Sequence, residues 1–231
     1  MLGQPLRFGL TIGELDLIEA VFWDFGGVFT GSPFHLDDYA RSLGTTNDRL
    51  LEHVFGRYEA NGDHPWHRLE RGEGTLADAL EAATEACRAD GIEGFSSEGF
   101  FKAMSSTSSD ERREMAVSKV QELNRAGIRQ AIITNNAKEF GDMWRQLIPV
   151  DELFEAVIDS SAVGMRKPDP RIYQLALERM DVSRPDASAF LDDFEPNVIA
   201  ARALGMHGVL VGEEIAPALA ELDQILTSFS A

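Results

Sequence analysis

The chain has 231 residues, of which 44% are hydrophobic, which is enough for one large globular domain or for a domain that carries an insertion. It has 39 acidic and 21 basic residues and a formal net charge of −18, so we expect neither nucleic acid nor anionic membrane as a partner. The single cysteine, Cys87, excludes an intrachain disulfide and suits a reducing cytoplasm, which is the expected location.

The N-terminal residues 1–19 form no clear structural pattern. The apolar run 8–12 is shorter than the core of a signal peptide, and the acidic residues Glu14 and Asp16 come soon after it. No stretch of the chain approaches the ~18–20 apolar residues of a membrane-spanning helix. We therefore expect a weakly specified extension, no signal peptide and no membrane span.

Five short apolar runs are predicted to be β-strands. Each run is continuous rather than alternating, as is typical of strands that are buried on both faces of a parallel sheet. In chain order they are EAVFWDF, IRQAIITNN, FEAVIDSS, SAFLDDF and HGVLVG. Helical patterns accompany the last four, in the stretches DERREMAVSKVQELNRAG, DPRIYQLALERM and EPNVIAARALG. This succession predicts an α/β fold with a doubly wound parallel sheet.

The interval between the first two strands is different, because about a hundred residues there contain no strand-like run, and a loop of that length is uncommon in a compact domain. Leu50, Val54, Phe55 and Tyr58 recur at helical spacing. We infer a helical insertion, about residues 34–108, that stands over the carboxyl edge of the sheet.

Two further stretches of this insertion carry local signals. TLADALEAATEACRADG has Thr75 as an N-cap and Gly91 at its end, which predicts a helix. In WHRLERGEG, Glu70, Arg71 and Glu73 are expected to form salt bridges or to cap a helix rather than to contact substrate. The Ser-rich stretch 105–110 is either the return hinge of the insertion or a polar turn before the next helix.

Polar residues stand at the ends of the first four predicted strands or in the loops after them. The carboxyl ends of parallel strands meet at one edge of a sheet, where ligands bind, so these residues should converge. They are Asp24, Thr134, Asn135, Lys167, Asp192 and Asp193.

Four of these residues are suited to phosphoryl transfer. Asp24 can attack phosphorus and form an aspartyl phosphate. Thr134 and Asn135 can hydrogen-bond the phosphoryl oxygens through a hydroxyl and through backbone or side-chain N–H groups. Lys167 can neutralise the charge that develops during transfer.

A metal site is predicted beside the nucleophile. Asp193, with Asp192, can hold Mg²⁺ together with Asp24, because Mg²⁺ prefers hard oxygen ligands and commonly bridges carboxylates to a substrate phosphate. Gly26 and Gly27 let the backbone turn tightly and approach the metal and the phosphate, and their N–H groups can face the anion.

The motifs VFWDFGGV, AIITNN, GMRKPDPRIY and AFLDDFEPNVIAARALGM resemble those of the haloacid dehalogenase (HAD) superfamily. The last is the most specific, since the paired carboxylates, Asn197 and the subsequent Gly-Met fall where the family has them. The resemblance implies a Rossmann-like core from residues 1–33 and 109–231 and a C1-type helical cap from residues 34–108. It also implies a Mg²⁺-dependent phosphatase acting on a small phosphorylated metabolite, with Asn197 in a supporting role.

One position departs from the family pattern. In most phosphatase members an Asp two residues after the nucleophile acts as general acid and base, and here that residue is Gly26. The backbone carbonyl of Gly26 can still serve the metal, but it cannot transfer a proton. Because such help is typically worth ~10²–10⁴-fold, protonation of the leaving group is expected to be slow unless His35 or a cap residue substitutes.

Three functions therefore stay open. The first is a phosphatase that uses Asp24 and Mg²⁺, and the second is a HAD-fold binding or regulatory protein that has lost turnover. The third is a metal-independent 2-haloacid dehalogenase, which the retained carboxylate pair disfavours. The sequence names neither the substrate nor the oligomeric state.

Overall fold

The computed structural model describes residues 17–106 and 110–228. A sheet of five parallel strands, in the order β3-β2-β1-β4-β5, forms its centre. The strands are β1 (Ala20–Trp23), β2 (Arg129–Thr134), β3 (Ala156–Asp159), β4 (Ser188–Asp192) and β5 (His207–Leu210). All five predicted strands are confirmed. Most of the predicted N-terminal extension and residues 107–109 of the Ser-rich stretch lie outside the described residues.

The described part of the chain contains eleven α-helices and three short 3₁₀ turns, at 138–140, 144–146 and 185–187. The helices are α1 (Asp37–Ser42), α2 (Asn47–Phe55), α3 (Pro65–Glu70), α4 (Leu76–Ala89), α5 (Ser97–Ser106), α6 (Asp110–Arg125), α7 (Val150–Leu153), α8 (Ser160–Val163), α9 (Pro170–Arg179), α10 (Glu195–Ala203) and α11 (Ala216–Ser228). Across the described residues, no helix combines the length and the apolar character that crossing a bilayer requires.

Both faces of the sheet are covered, as the continuous apolar runs predicted. Side chains alternate along β1, so that Val21 and Trp23 join one apolar cluster while Ala20 and Phe22 join the other. The first cluster includes residues of α6 and α11, and the second includes residues of α9 and α10. The fold is therefore a doubly wound α/β sheet.

Helices α1–α5 lie between β1 and α6 in the sequence and share a third apolar cluster. Thr75 caps α4 as predicted, because its side chain accepts a hydrogen bond from the backbone N–H of Asp78. One detail differs from the helical spacing in the sequence: α2 ends at Phe55, because Gly56 adopts a φ of +69°. Tyr58 therefore lies beyond the helix, where it contacts residues at the edge of the sheet.

The strand order places the first and fourth strands side by side. The chain proceeds from β1 outward to β2 and β3 and then returns to form β4 on the other side of β1, so the order reverses at this point. The backbone N–H of Asp24 donates to the carbonyl oxygen of Leu191 at 2.8 Å. Asp24 and Asp192 consequently meet at the switch point of the sheet.

Candidate active site

The strand ends bring together the three carboxylates that were predicted to bind metal. Oxygen atoms of Asp24, Asp192 and Asp193 lie within 4.8 Å of one another. Asp192 is fully buried, and its Oδ1 accepts a hydrogen bond from the backbone N–H of Phe194 at 2.8 Å. Asn197 donates from Nδ2 to both carboxylate oxygens of Asp192, at 3.1 Å each, and so holds this side chain in one orientation.

Lys167 bridges two of these carboxylates. Its Nζ lies 2.7 Å from Oδ1 of Asp24 and 2.6 Å from Oδ2 of Asp192, and the lysine is buried. Burial alone would lower the pKa of Lys167, but the charges of Asp192 and Asp24 outweigh it and raise the pKa above its ordinary value. Lys167 is therefore a cation held against the predicted nucleophile.

The site carries more negative than positive charge. Three carboxylates face one ammonium group, an excess of two negative charges when all are ionised. Burial raises the pKa of Asp24 well above its usual range although Lys167 opposes the shift, and burial together with the charge of Asp192 raises the pKa of Asp193 to about 7. Oδ2 of Asp193 is buried without a hydrogen-bond partner among the described residues. These oxygen donors and the excess of negative charge fit a divalent cation such as Mg²⁺.

The two glycines after Asp24 have different steric roles. Gly27 has a φ of +70°, and a Cβ there would lie 2.0 Å from Cγ of Asp193. Its carbonyl oxygen accepts a hydrogen bond of 2.5 Å from Arg112 Nη1. A Cβ on Gly26 would meet no atom within 4 Å. Only Gly27 is thus required for the carboxylates to approach the backbone.

Replacement of Gly27 tests this requirement. We expect Gly27→Ala to displace the carboxylate of Asp193 and to lower the free energy of unfolding by about 1–3 kcal/mol, through backbone strain and overpacking. Urea unfolding followed by circular dichroism measures the loss. Gly26→Ala is the matched control, since the adjacent site has room for a methyl group. Equal stabilities of the two variants would contradict the assigned role of Gly27.

Thr134 and Asn135 lie at the end of β2, close to Lys167. Oδ1 of Asn135 accepts from the backbone N–H of Lys167 at 2.8 Å, and its Nδ2 donates to the Lys167 carbonyl oxygen at 3.0 Å. The side chain of Asn135 is therefore engaged in positioning the lysine loop. The group of Asn135 that remains for the predicted contact with a phosphoryl oxygen is its backbone N–H. Thr134 is buried and lines a cavity of about 490 Å³.

A buried network that the sequence did not reveal joins α3 to the loop that carries Lys167. Nε of Arg166 lies 2.6 Å from Oε2 of Glu70, which confirms the predicted salt bridge of Glu70. The hydroxyl group of Tyr58 donates to Oε1 of Glu70 at 2.6 Å, and the guanidinium carbon of Arg166 lies 4.3 Å from the centre of the Tyr58 ring. Asn135 Nδ2 also donates to the Tyr58 hydroxyl at 3.2 Å, so the network reaches the site itself.

Two adjoining cavities surround these groups. The smaller, of about 50 Å³, is lined by Asp24, Lys167 and Asp193, and the larger, of about 490 Å³, lies beyond it. The residues common to both linings are Gly26, Pro33, Phe34, Tyr58 and Asn135. The two cavities therefore adjoin along this shared lining, beside Asp24 and Lys167.

Neither His35 nor Tyr58 is a ready substitute for the acid that is missing at Gly26. His35 is exposed and lines a separate cavity of about 600 Å³, together with Gly27 and Asp193. Tyr58 does line both cavities beside Gly26, but burial and the charge of Glu70 raise the pKa of its hydroxyl group well above the ordinary value. At neutral pH Tyr58 is thus a hydrogen-bond donor and a poor source of protons.

Comparison with proteins of known sequence identifies the family that the motifs resemble, and the match extends over most of the chain. The family model of haloacid dehalogenase-like hydrolases matches residues 18–205. Acyl-CoA dehydrogenase family member 10 of Mus musculus is 28% identical over 210 residues, which are 90% of this chain and 19% of that protein. The sesquiterpene phosphatase astK of Aspergillus oryzae is 28% identical over 211 residues, 90% of this chain and 96% of that one. The chain thus spans about a fifth of the first relative and nearly all of the second.

Solved structures show the same fold. A HAD family enzyme from Bacteroides thetaiotaomicron superimposes with a TM-score of 0.62 at 20% identity, covering 90% of this chain and 98% of that one. The complex of that enzyme with magnesium and inorganic phosphate gives a TM-score of 0.57 at 19% identity, covering 86% and 96%. With its parallel sheet, its converging strand ends and the family match, the chain belongs to the haloacid dehalogenase-like hydrolases.

Proposed function

We propose that the protein is a Mg²⁺-dependent phosphomonoester hydrolase in which Asp24 is the nucleophile and residues 34–108 form a cap over the site. The observation that carries this proposal is the contact of 2.7 Å between Asp24 and buried Lys167 inside a cluster of three carboxylates. A carboxylate held by a cation beside oxygen donors for Mg²⁺ suits phosphoryl transfer. Similarity to a phosphatase over nearly its full length supports the same reaction type.

The metal would be held by Asp24, Asp192 and Asp193, with the carbonyl oxygen of Gly26 as a further donor. Bound there, Mg²⁺ would supply positive charge against the phosphoryl oxygens. Asn197 acts indirectly, because its amide fixes the carboxylate of Asp192. The metal would also offset the excess of buried negative charge, which one lysine leaves uncompensated.

In the proposed reaction, residues of this chain carry out the phosphoryl transfer. A carboxylate oxygen of Asp24 forms a bond to phosphorus, the bond from phosphorus to the ester oxygen breaks, and the alcohol leaves with a proton from water. Lys167 neutralises charge on the phosphoryl group, which the hydroxyl of Thr134 and the backbone N–H of Asn135 bind. Water attacks phosphorus in the second step and releases phosphate from Asp24.

The absence of an acidic side chain at Gly26 favours a second candidate, which is a binding or regulatory protein that retains the site but does not turn over substrate. The departing alcohol needs a proton, and among the described residues neither His35 nor Tyr58 is placed or poised to supply it. This candidate predicts binding of Mg²⁺ and phosphate without repeated hydrolysis of any ester.

Phosphate release from a panel of phosphomonoesters separates the two candidates. We expect Mg²⁺-dependent release, fastest from an activated aryl phosphate because that leaving group needs little protonation, and slower from sugar phosphates and nucleotides. Chelation of Mg²⁺ should abolish all of it.

Thermal unfolding provides a readout that is independent of turnover. Mg²⁺ at about 100 times its Kd should stabilise the fold by about 2.7 kcal/mol. Stabilisation by Mg²⁺ without release from any ester would favour the second candidate. Release that is unchanged by chelator would contradict the metal-dependent mechanism.

A further inference from the structure

We infer that the larger cavity binds a hydrocarbon group, so that the ester cleaved is the monophosphate of an extended apolar alcohol. This inference rests on the proposed function, because it places the phosphoryl group at Asp24 in the adjoining small cavity. The volume of about 490 Å³ falls within the ~300–1,000 Å³ that is usual for small-molecule sites.

Aromatic and aliphatic side chains line the cavity from two directions. Phe25 and Trp144 line it from the sheet side, with ring centres 4.6 Å apart. Phe55, Phe101 and Met104 line it from helices α2 and α5. Phe101, Met104 and Trp144 are only partly buried, so an apolar ligand in the cavity would cover surface that they leave exposed.

Polar side chains on the lining already have partners within the protein. The hydroxyl groups of Thr30 and Ser105 donate to backbone carbonyl oxygens, at 3.1 Å and 2.9 Å. The amide of Asn136 donates to Oδ2 of Asp159 at 2.7 Å. A hydroxylated group such as a sugar would therefore find these donors already engaged and would replace only part of its hydrogen bonds to water.

The charge on the lining is also compensated. Glu70 is its ionisable carboxylate, and Arg166, the hydroxyl of Tyr58 and the indole N–H of Trp66 all bind it. Lys, Arg and His are absent from the described residues that line this cavity. A second phosphate or a carboxylate on the ligand would thus find no cation, which disfavours nucleotides and acidic metabolites.

The cavity joins the catalytic groups at one end and reaches solvent at the other. Gly26 and Asn135 belong to both linings, so a ligand with its phosphoryl group at Asp24 could extend into the larger cavity between them. Leu147 also lines the larger cavity and is 47% exposed, which leaves room for a long chain to extend outward.

Binding of n-alkylphosphonates tests the inference without requiring turnover. In the presence of Mg²⁺, calorimetry should show the Kd falling about threefold to fourfold with each added methylene until the cavity is full. A sugar phosphonate of similar size should bind no better than methylphosphonate. A Kd that does not change with chain length, or a sugar phosphonate that binds as tightly as the decyl compound, would overturn the inference.

Substitutions in the cavity lining test whether the alkyl chain binds in this cavity. Met104→Gln and Leu147→Asn keep side-chain size and add polarity, and each should flatten the dependence of Kd on chain length. Leu147 is partly exposed, so this change preserves the fold even where the Met104 variant does not. Ile199→Asn, at an exposed position on α10 away from the cavity, is the matched control and should keep the native dependence. An equal slope in the native protein and both cavity variants would place the alkyl chain elsewhere.

Failure of the hydrolase proposal is distinguishable from failure of this one. Binding that depends on chain length, without release from any ester, would contradict the hydrolase and leave the apolar ligand site supported. Hydrolysis of an aryl phosphate together with a Kd that is independent of chain length would support the hydrolase and overturn the apolar site.

Discussion

Asp24→Asn is expected to reduce phosphate release by at least ~10⁴-fold, in the range seen when a nucleophile or its partner is removed from a hydrolase. An amide has nearly the shape of the carboxylate but lacks its charge and its nucleophilic oxygen, so the first step is lost. Lys167 keeps its contact of 2.6 Å with Asp192, and the fold should therefore survive.

The measurement is steady-state hydrolysis of an activated aryl phosphate with Mg²⁺, together with mass spectrometry of acid-quenched enzyme. The native protein should show a phosphorylated species that the variant lacks. Asp38→Asn, which changes an exposed carboxylate on α1, is the matched control and should retain native activity. Undiminished activity of Asp24→Asn would rule out nucleophilic catalysis by this residue.

Gly26→Asp is expected to raise kcat/KM for alkyl phosphates by ~10²–10⁴-fold, the usual contribution of general acid–base catalysis. The backbone tolerates the change, because a Cβ on Gly26 meets no atom within 4 Å and its φ is not in the left-handed region. Gly26 lines the small cavity beside Asp24, so the new carboxyl group would lie near the departing oxygen. Surrounding carboxylates should raise the pKa of that group toward neutrality, as an acid requires.

The gain should depend on the leaving group. Aryl phosphate needs little protonation, so its hydrolysis should change much less than that of an alkyl phosphate. Gly26→Asn separates acid catalysis from a change in shape, since the amide has the same size and cannot donate a proton to the alkoxide in the same way. If Gly26→Asn accelerates alkyl phosphate hydrolysis as much as Gly26→Asp, the missing acid is not what limits the native protein.

The sequence by itself determined the elements of the core and the convergence of the carboxylates. Continuous apolar runs, the N-cap at Thr75 and the Asp-Pro start of α9 are local signals, and local chemistry decides where such elements begin and end. The proximity of Asp24 and Asp192 could be predicted from the sequence, because strand ends in a parallel sheet share one edge. The resemblance in the motifs added the expected family, which the match over residues 18–205 then confirmed.

Only the tertiary structure decided which groups pair and where space remains. Arg166 and Glu70 are 96 residues apart, and no periodicity links them. The engagement of the Asn135 side chain by the backbone of Lys167, and the cavity between the sheet edge and the helices, likewise depend on how α1–α5 pack against the core. Helical spacing even placed Tyr58 on α2, whereas the left-handed turn at Gly56 directs it to the site. Such contacts arise from packing through space, which the local spacing of residues does not encode.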